Sequence, residues 1–213
     1  MSTTRRGCLI TLEGGEGAGK SSQLRRLADH LRSNGREVVV TREPGGTPGA
    51  EAVRRVLLSG AARPLGPFAE AMLFAAARAD HVDGVIAPAL EAGAIVLSDR
   101  FLDSSRAYQR QVATLPHLER IAIADARPDL TLILDLEPER GIERVRGRDG
   151  ALDRFEGDAL DELRARRRTF LDIAEAEPDR CAVIDASGDE DVVWEQVRTV
   201  LRDRLPELEE VEA

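Results

Sequence analysis

Five short apolar runs punctuate the chain: Cys8–Leu12, Glu37–Thr41, Ala94–Ser98, Leu130–Asp135 and Cys181–Asp185. Each has strand length and too few polar positions to alternate, the pattern of strands covered on both faces. Between the runs the apolar positions shift to helical spacing. Leu24, Leu27 and Leu31 place a helix from Ser21 to about Asn34, closed by Asn34-Gly35. Further helices are expected over Gly49–Leu58 and from Pro67 to about Ala92, with Pro88 bending or interrupting the end of the latter. Another begins just after Asp99, capped by Asp103 or Ser104. Two more cover about Pro138–Val145 and Leu160–Ala176. A last helix carries Trp194, Val197, Leu201 and Leu205 on one face, a core stripe, and the acidic end Pro206–Ala213 is expected to fray.

Apolar strands alternating with helices predict an α/β fold, a five-stranded parallel sheet with helices on both faces. Ligands of such sheets bind outside the carboxyl ends of the strands. No internal repeat or dividing linker is evident, so 1–213 is expected to form a single domain.

Composition narrows the function classes. No run approaches the roughly 20 apolar residues of a membrane span, and Met1–Gly7 is polar, so the expected address is the cytoplasm and no membrane partner is expected. A net charge of −9 argues against a nucleic-acid binder. Cys8 and Cys181 sit inside strands and read as buried, inert thiols. His30, His81 and His117 are scattered and form no metal-ligand pattern; surface or satisfied positions are expected for them.

The densest chemistry lies at Gly14-Gly15-Glu16-Gly17-Ala18-Gly19-Lys20-Ser21, followed by Ser22. Two glycines separated by four residues and followed by Lys and Ser match a phosphate-binding loop, and a strand before it and a helix after it supply the required context. Loop amides and the positive end of the helix dipole then face one anion. Lys20 would reach the outer phosphates, and the Ser21 hydroxyl would ligate Mg²⁺. Lys20 is also the only lysine among 30 Lys and Arg residues, a compact point charge kept where phosphate is expected.

Other strand ends carry charge as well. Asp99 is the expected carboxylate of the Mg²⁺ shell, directly or through water, with Asp135 its competitor. Arg42 and Arg100 end neighbouring runs and could grip a second phosphate with paired donors, Glu43 following Arg42. Phe74 and Arg78 lie four apart on one helix face, a ring beside an edge donor. Arg144, Arg146, Arg148 and Arg154 surround Gly147 and Gly150, the composition of a mobile arginine lid over about 146–157.

The set "LEGGEGAGKSS", "TREPGGT", "MLFAAARADH", "SDRFLDSSRAYQ", "RPDLTLILDL" and "GALDRFE" resembles the thymidylate kinase family of bacterial type, over essentially the whole chain and in order. The resemblance implies a P-loop NTPase fold of the nucleoside monophosphate kinase type. It implies an enzyme that transfers the ATP γ-phosphate to dTMP, giving dTDP, with Mg²⁺, and a homodimer packed through helices. Gly14 to Ser22 would bind ATP. Arg42 and Arg100 would hold the dTMP phosphate, with Glu43 and Ser104 in the same substrate set. Phe74 would stack on thymine and Arg78 would address its edge. Ser105 and Gln109 would line the base and sugar pocket, and Tyr108 would disfavour a 2′-hydroxyl. Glu16 would stand near the acceptor. No arginine follows Glu16, so the catalytic arginine would come from the lid: Arg148, with Arg146 next.

The chain departs from that family in two places. Arg110-Gln111-Val112 follows Gln109 where relatives often carry a glycine-rich loop, and the lid is about one residue longer near Asp149-Gly150. Two alternatives follow from the residues. A P-loop kinase for another nucleoside, nucleotide or small molecule would not need both Arg42 and Arg100 if its acceptor lacked phosphate. A nucleotide-gated switch would carry an Asn-Lys-x-Asp motif, which a chain whose one lysine is Lys20 lacks.

Overall fold

β1 (Cys8–Gly14), β2 (Val38–Arg42), β3 (Ile95–Asp99), β4 (Leu130–Asp135) and β5 (Cys181–Asp185) form one parallel sheet in the order β2-β3-β1-β4-β5. The computed structural model describes residues 6–147 and 159–210. Its helices are α1 (Lys20–Ser33), α2 (Pro48–Leu58), α3 (Pro67–His81), α4 (Ala87–Glu91), α5 (Leu102–Tyr108), α6 (Leu115–Ile123), α7 (Pro138–Arg146), α8 (Leu160–Ala176) and α9 (Glu190–Arg204). The expected five-stranded parallel sheet is present.

Alternation along the strands divides the core. Ile10 and Leu12, with Leu97, Leu132 and Leu134, pack against Leu27 and Leu31 of α1 and Trp194 and Val197 of α9. Leu9 and Val96 face the other way, toward Val82, Ile86, Leu90 and Phe101. Ile133 meets Phe170 and Ile173 of α8 on that second side. Thr11 and Glu13 share the direction of Leu9, because side chains repeat every second residue along a strand. The register sets Leu12 and Arg42 on either side of Asp99, so the carboxyl ends of β1, β2 and β3 lie together.

Four expectations need correction. The helix expected from Pro67 to about Ala92 runs as α3, a widened π-helical stretch over Val82–Ile86, and α4. Pro88 lacks an N–H and its ring crowds the carbonyl four residues earlier, Gly84, and the wider turn lies there. Neither Asp103 nor Ser104 caps α5; Phe101 occupies that position and makes no side-chain cap bond. Asp103 is instead buried and paired with Arg180 at 2.7 Å. The acidic end does not fray over its described part. Pro206–Leu208 forms a 3₁₀ turn with Leu208 7% exposed, and the Asn34 side chain donates to the Leu208 carbonyl at 3.3 Å. Finally, α6 lies where no helix was expected.

The cysteines are free; Cys181 is buried but Cys8 only partly so. Burial pushes both thiols up, Cys181 to about 11, so neither is a thiolate near neutrality. The described residues contain no helix long and apolar enough to cross a membrane.

Candidate active site

The turn from β1 into α1 is glycine-built for geometric reasons. Gly17 has φ 73°, and a Cβ there would stand 2.4 Å from the Gly141 carbonyl oxygen of α7. Gly14 has φ 132° and a Cβ there would meet the Leu134 carbonyl oxygen at 2.4 Å. Only glycine allows these left-handed conformations and close approaches together. Gly19 precedes α1 with φ 91° and gives no side-chain cap, so the helix begins on bare amides. Lys20 folds back over the loop, its ammonium donating to the Gly15 oxygen at 2.8 Å and the Gly14 oxygen at 3.1 Å. Burial and the nearby Arg100 charge lower its pKa, against the pull of Glu16, Asp99 and Glu13.

A cleft of about 520 Å³ opens at these strand ends. Glu16, Gly17, Gly19, Lys20, Ser21 and Ser22 line it on the loop side. Arg42, Glu43, Phe74, Arg78, Asp99, Arg100, Ser104, Ser105, Tyr108 and Gln109 line the rest. Arg42 and Arg100 thus share a cavity with Lys20. Gly14, Gly15 and Ala18 belong to the loop but not to the cleft wall. Arg25, Arg54 and Leu58 line the cleft too and were not picked out from the sequence. Arg54 and Leu58 stand four apart on α2, a spacing legible in the chain but one that carries no chemistry without the cleft. Residues 148–158, including Arg148, Arg154 and most of the expected lid, lie outside the described residues; Arg146 ends α7 and Gly147 follows it.

The Ser21 hydroxyl donates to Asp99 Oδ2 at 2.8 Å, which joins the two expected metal donors. Asp135 takes a different part, accepting Arg167 Nε at 2.6 Å and Nη2 at 2.9 Å. Arg100 is the next residue after Asp99 and sits at φ 72°, a left-handed conformation unusual for a side-chain-bearing residue. Its amide donates to Leu12 O at 3.0 Å, and its carbonyl accepts the Ser98 hydroxyl at 2.7 Å. Its guanidinium pairs with Glu16 Oε1 and reaches Ser104 Oγ at 3.2 Å. The Tyr108 hydroxyl also donates to Glu16 Oε1, at 3.1 Å. Burial pushes the Glu16 carboxyl up, but Arg100, then Lys20 and the Tyr108 hydrogen bond, hold it at about 2. Glu16 is therefore charged throughout the physiological range. The Tyr108 ring lies under two guanidinium carbons, Arg166 at 4.3 Å and Arg100 at 5.2 Å from its centroid.

Sequence reasoning missed Glu13. The strand extends through it, and its side chain, facing the α5 side of the sheet, is 0% exposed. Oε1 accepts the amides of Phe101 at 2.7 Å and Ser104 at 3.2 Å, while Oε2 accepts the Ser104 hydroxyl at 2.6 Å. Glu13 thus caps α5 from a neighbouring strand, in place of the local cap expected from Asp103 or Ser104, and holds the turn that carries Arg100. Burial and then the charge of Asp103 raise its pKa to about 7. A lone glutamate before a glycine loop gave no signal of this, because the contact spans 88 residues of sequence.

On the far side, Arg78 is 4% exposed and fully oriented. Its Nε donates to Glu43 Oε2 at 2.7 Å, Nη1 to Ser105 Oγ at 2.9 Å and Nη2 to Phe101 O at 2.9 Å. Gln109 is 5% exposed, and its Oε1 is buried without a hydrogen-bond donor among the described residues. Arg42 is open, its side chain 55% exposed, and donates to Glu51 Oε1 at 2.8 Å.

Comparison with known proteins gives a consistent result. The family model described as thymidylate kinase matches residues 12–197. A thymidylate kinase of Bradyrhizobium diazoefficiens is 50% identical over 207 residues, 94% of this chain and 91% of its own. One of Nitrobacter hamburgensis is 50% identical over 207 residues, 94% of this chain and 90% of its own. The crystal structure of thymidylate kinase from Ehrlichia chaffeensis superposes with a TM-score of 0.72 at 33% identity, covering 92% of this chain and 99% of that one.

Proposed function

The chain belongs to the thymidylate kinase family and phosphorylates dTMP to dTDP with ATP, and from that premise we propose how its residues divide the work. ATP lies along the Gly14–Ser22 loop, its outer phosphates met by loop amides and Lys20. The dTMP phosphate lies between Arg42 and Arg100, and its base lies toward Phe74, Arg78 and Gln109. The observation that carries this division is that Lys20 and the two arginines line one cleft. Two phosphates brought end to end there would be neutralised from both sides, and phosphoryl transfer is catalysed mainly by such positioning and neutralisation.

The buried Oε1 of Gln109, without a donor among the described residues, needs a partner, and the ring N3–H of thymine is one of the right chemistry. Phe74 offers a ring for stacking and Tyr108 closes the sugar side. Glu16, charged and held by Arg100, fixes the arginine at the acceptor phosphate. Ser21 and Asp99 are hard oxygen donors 2.8 Å apart beside the loop, a pair that fits Mg²⁺ bound largely by phosphates and water. Mg²⁺ bound there would neutralise charge on the transferred group. We assign the last cation to Arg148 of the lid over about 146–157, with Arg146 as the second candidate.

Exposed apolar residues support a homodimer. Phe68 and Met72, one turn apart on α3, are 53% and 48% exposed, and Ile121 on the adjoining α6 is 75% exposed. A second copy covering this face is our reading of them, in a protein working in the cytoplasm.

The residue assignment is tested by an acceptor panel and two variants. Purified protein with ATP and Mg²⁺ turns over dTMP far faster than dUMP, dCMP, AMP or shikimate. Arg100→Ala raises the KM for dTMP much more than that for ATP, and Arg148→Ala lowers kcat. An equal rise in both KM values for Arg100→Ala would misplace the acceptor.

A further inference from the structure

His81 is one of three histidines, lies outside the cleft wall and is 0% exposed. It stands at the end of α3, three residues beyond Arg78, where a helical turn brings both side chains to the same side. Its Nδ1 lies 3.0 Å from Glu43 Oε1, and its Nε2 lies 2.6 Å from Thr41 Oγ1. A carboxylate can only accept, so Nδ1 is the donor to Glu43; in the neutral ring Nε2 then accepts the Thr41 hydroxyl. The other oxygen of the same carboxylate, Oε2, accepts Arg78 Nε at 2.7 Å.

The result is a buried chain of contacts from β2 to α5: Thr41, His81, Glu43, Arg78, Ser105. Glu43 is 6% exposed, so a lost partner of its carboxylate is poorly replaced by bulk water. The loop after Glu43 is seated on the same ring. Gly46 has φ 93°, and a Cβ there would fall 2.5 Å from His81 Cδ2. His81 therefore fixes both the carboxylate and the loop that carries it.

We propose that His81 is a positioning residue for acceptor recognition, holding Glu43 through Nδ1 so that Glu43 in turn sets the guanidinium of Arg78 in the acceptor half of the cleft. This rests on the assignment of Arg78 to the thymine side made above. His81 touches neither substrate nor the reacting phosphates. Its hold on Glu43 passes through one ring nitrogen, and that gives it a signature that a general role in stability lacks.

The two nitrogens can be replaced separately. His81→Asn keeps a donor where Nδ1 stands; His81→Gln keeps a polar group where Nε2 stands and loses the bond to Glu43. Steady-state kinetics with dTMP and ATP varied in turn should show His81→Gln raising the KM for dTMP about tenfold, the loss of one buried charge-assisted bond, with the KM for ATP unchanged. His81→Asn should stay within about twofold of the parent on both. Equal effects of Asn and Gln, or equal changes in the two KM values, overturn the proposal. Arg78→Gln is measured beside them. If Arg78→Gln leaves the KM for dTMP unchanged, the assignment of Arg78 itself fails; if it raises that KM while His81→Gln does not, only the role of His81 fails. The wild-type protein gives an independent reading that needs no variant. With ¹⁵N-labelled histidine, the Nδ1 resonance of His81 should move on saturation with dTMP and stay in place with ATP, and a resonance that ignores dTMP overturns the proposal.

Discussion

Replacing Glu13 by Gln removes a carboxylate that the fold has taken wholly out of water. Burial, then the charge of Asp103, raise its pKa from 4.5 to about 7, against Ser104, Arg100 and the Phe101 amide, which favour the charged form. Lys20 at the start of α1 faces it as well. Between the ordinary carboxylate range and about pH 7 the folded chain keeps a proton that the unfolded chain has released. Stability therefore falls as pH rises through that window and levels off once Glu13 ionises in the folded state. A rise from 4.5 to about 7 corresponds to about 3 kcal/mol of stability lost across it. Gln carries no titrating proton, its oxygen still accepts the Phe101 and Ser104 amides, and its amide can donate to the Ser104 hydroxyl. Glu13→Gln should therefore match the parent within about 1 kcal/mol near pH 5 and become the more stable of the two by about 2 kcal/mol near pH 8.5. Urea unfolding at several pH values, read at constant m, measures this. Glu13→Ala leaves two amides and a hydroxyl without their acceptor and should be less stable at every pH, by about 2–4 kcal/mol. A Gln variant whose difference from the parent does not change with pH would refute the buried ionisation.

Three further outcomes are expected. Lys20→Ala should lower ADP release at least about a hundredfold while its urea transition stays cooperative; near-normal turnover would remove the phosphate-loop argument. Glu16 and Glu177 are both pushed up by burial yet held at about 2, Glu16 by Arg100 and Lys20, Glu177 by Arg106, Arg180 and Arg127. Their contribution to stability is present above the ordinary carboxylate range and lost as pH falls toward about 2. Thermal melts from neutral to acid pH should show that loss, reduced in Glu177→Gln, and equal acid slopes in the two proteins would contradict the ion-pair account. Gly17→Ala forces a Cβ to within 2.4 Å of the Gly141 oxygen at φ 73°. It should cost about 1–3 kcal/mol and weaken ATP more than dTMP; unchanged ATP affinity by calorimetry would show that the loop tolerates the shift.

Much of this molecule could be read along the chain because its signals are local. The strands are unbroken apolar runs, and α1 and α9 carry their stripes at helical spacing; Trp194 and Val197 lie in the core. The phosphate loop is contiguous, and the charged residues that follow β2 and β3 are one or two positions long. What escaped had no local signature. α6 buries a glutamate, Glu119, on its inner face beside Leu115 and Ala122, so its apolar stripe is interrupted. Glu119 is accommodated there because Arg106 Nε donates to it at 3.0 Å. The acidic tail after Arg204 looks unstructured by composition, yet its described part, to Glu210, is held by partners on α1 and the turn after it, with His30 2.9 Å from Glu209 Oε1.

The pattern of apolar runs determined the class of fold, and the glycine loop with its single lysine marked the strand end at which the cleft opens. Only the tertiary structure decided which side chains hold those groups in place. Glu13 caps a helix that begins 88 residues later, and His81 braces a carboxylate 38 residues before it. A hydrogen bond acts over about 3 Å of space, whatever length of chain lies between its ends. Sequence periodicity registers which face of an element is buried, not which distant partner waits beneath it.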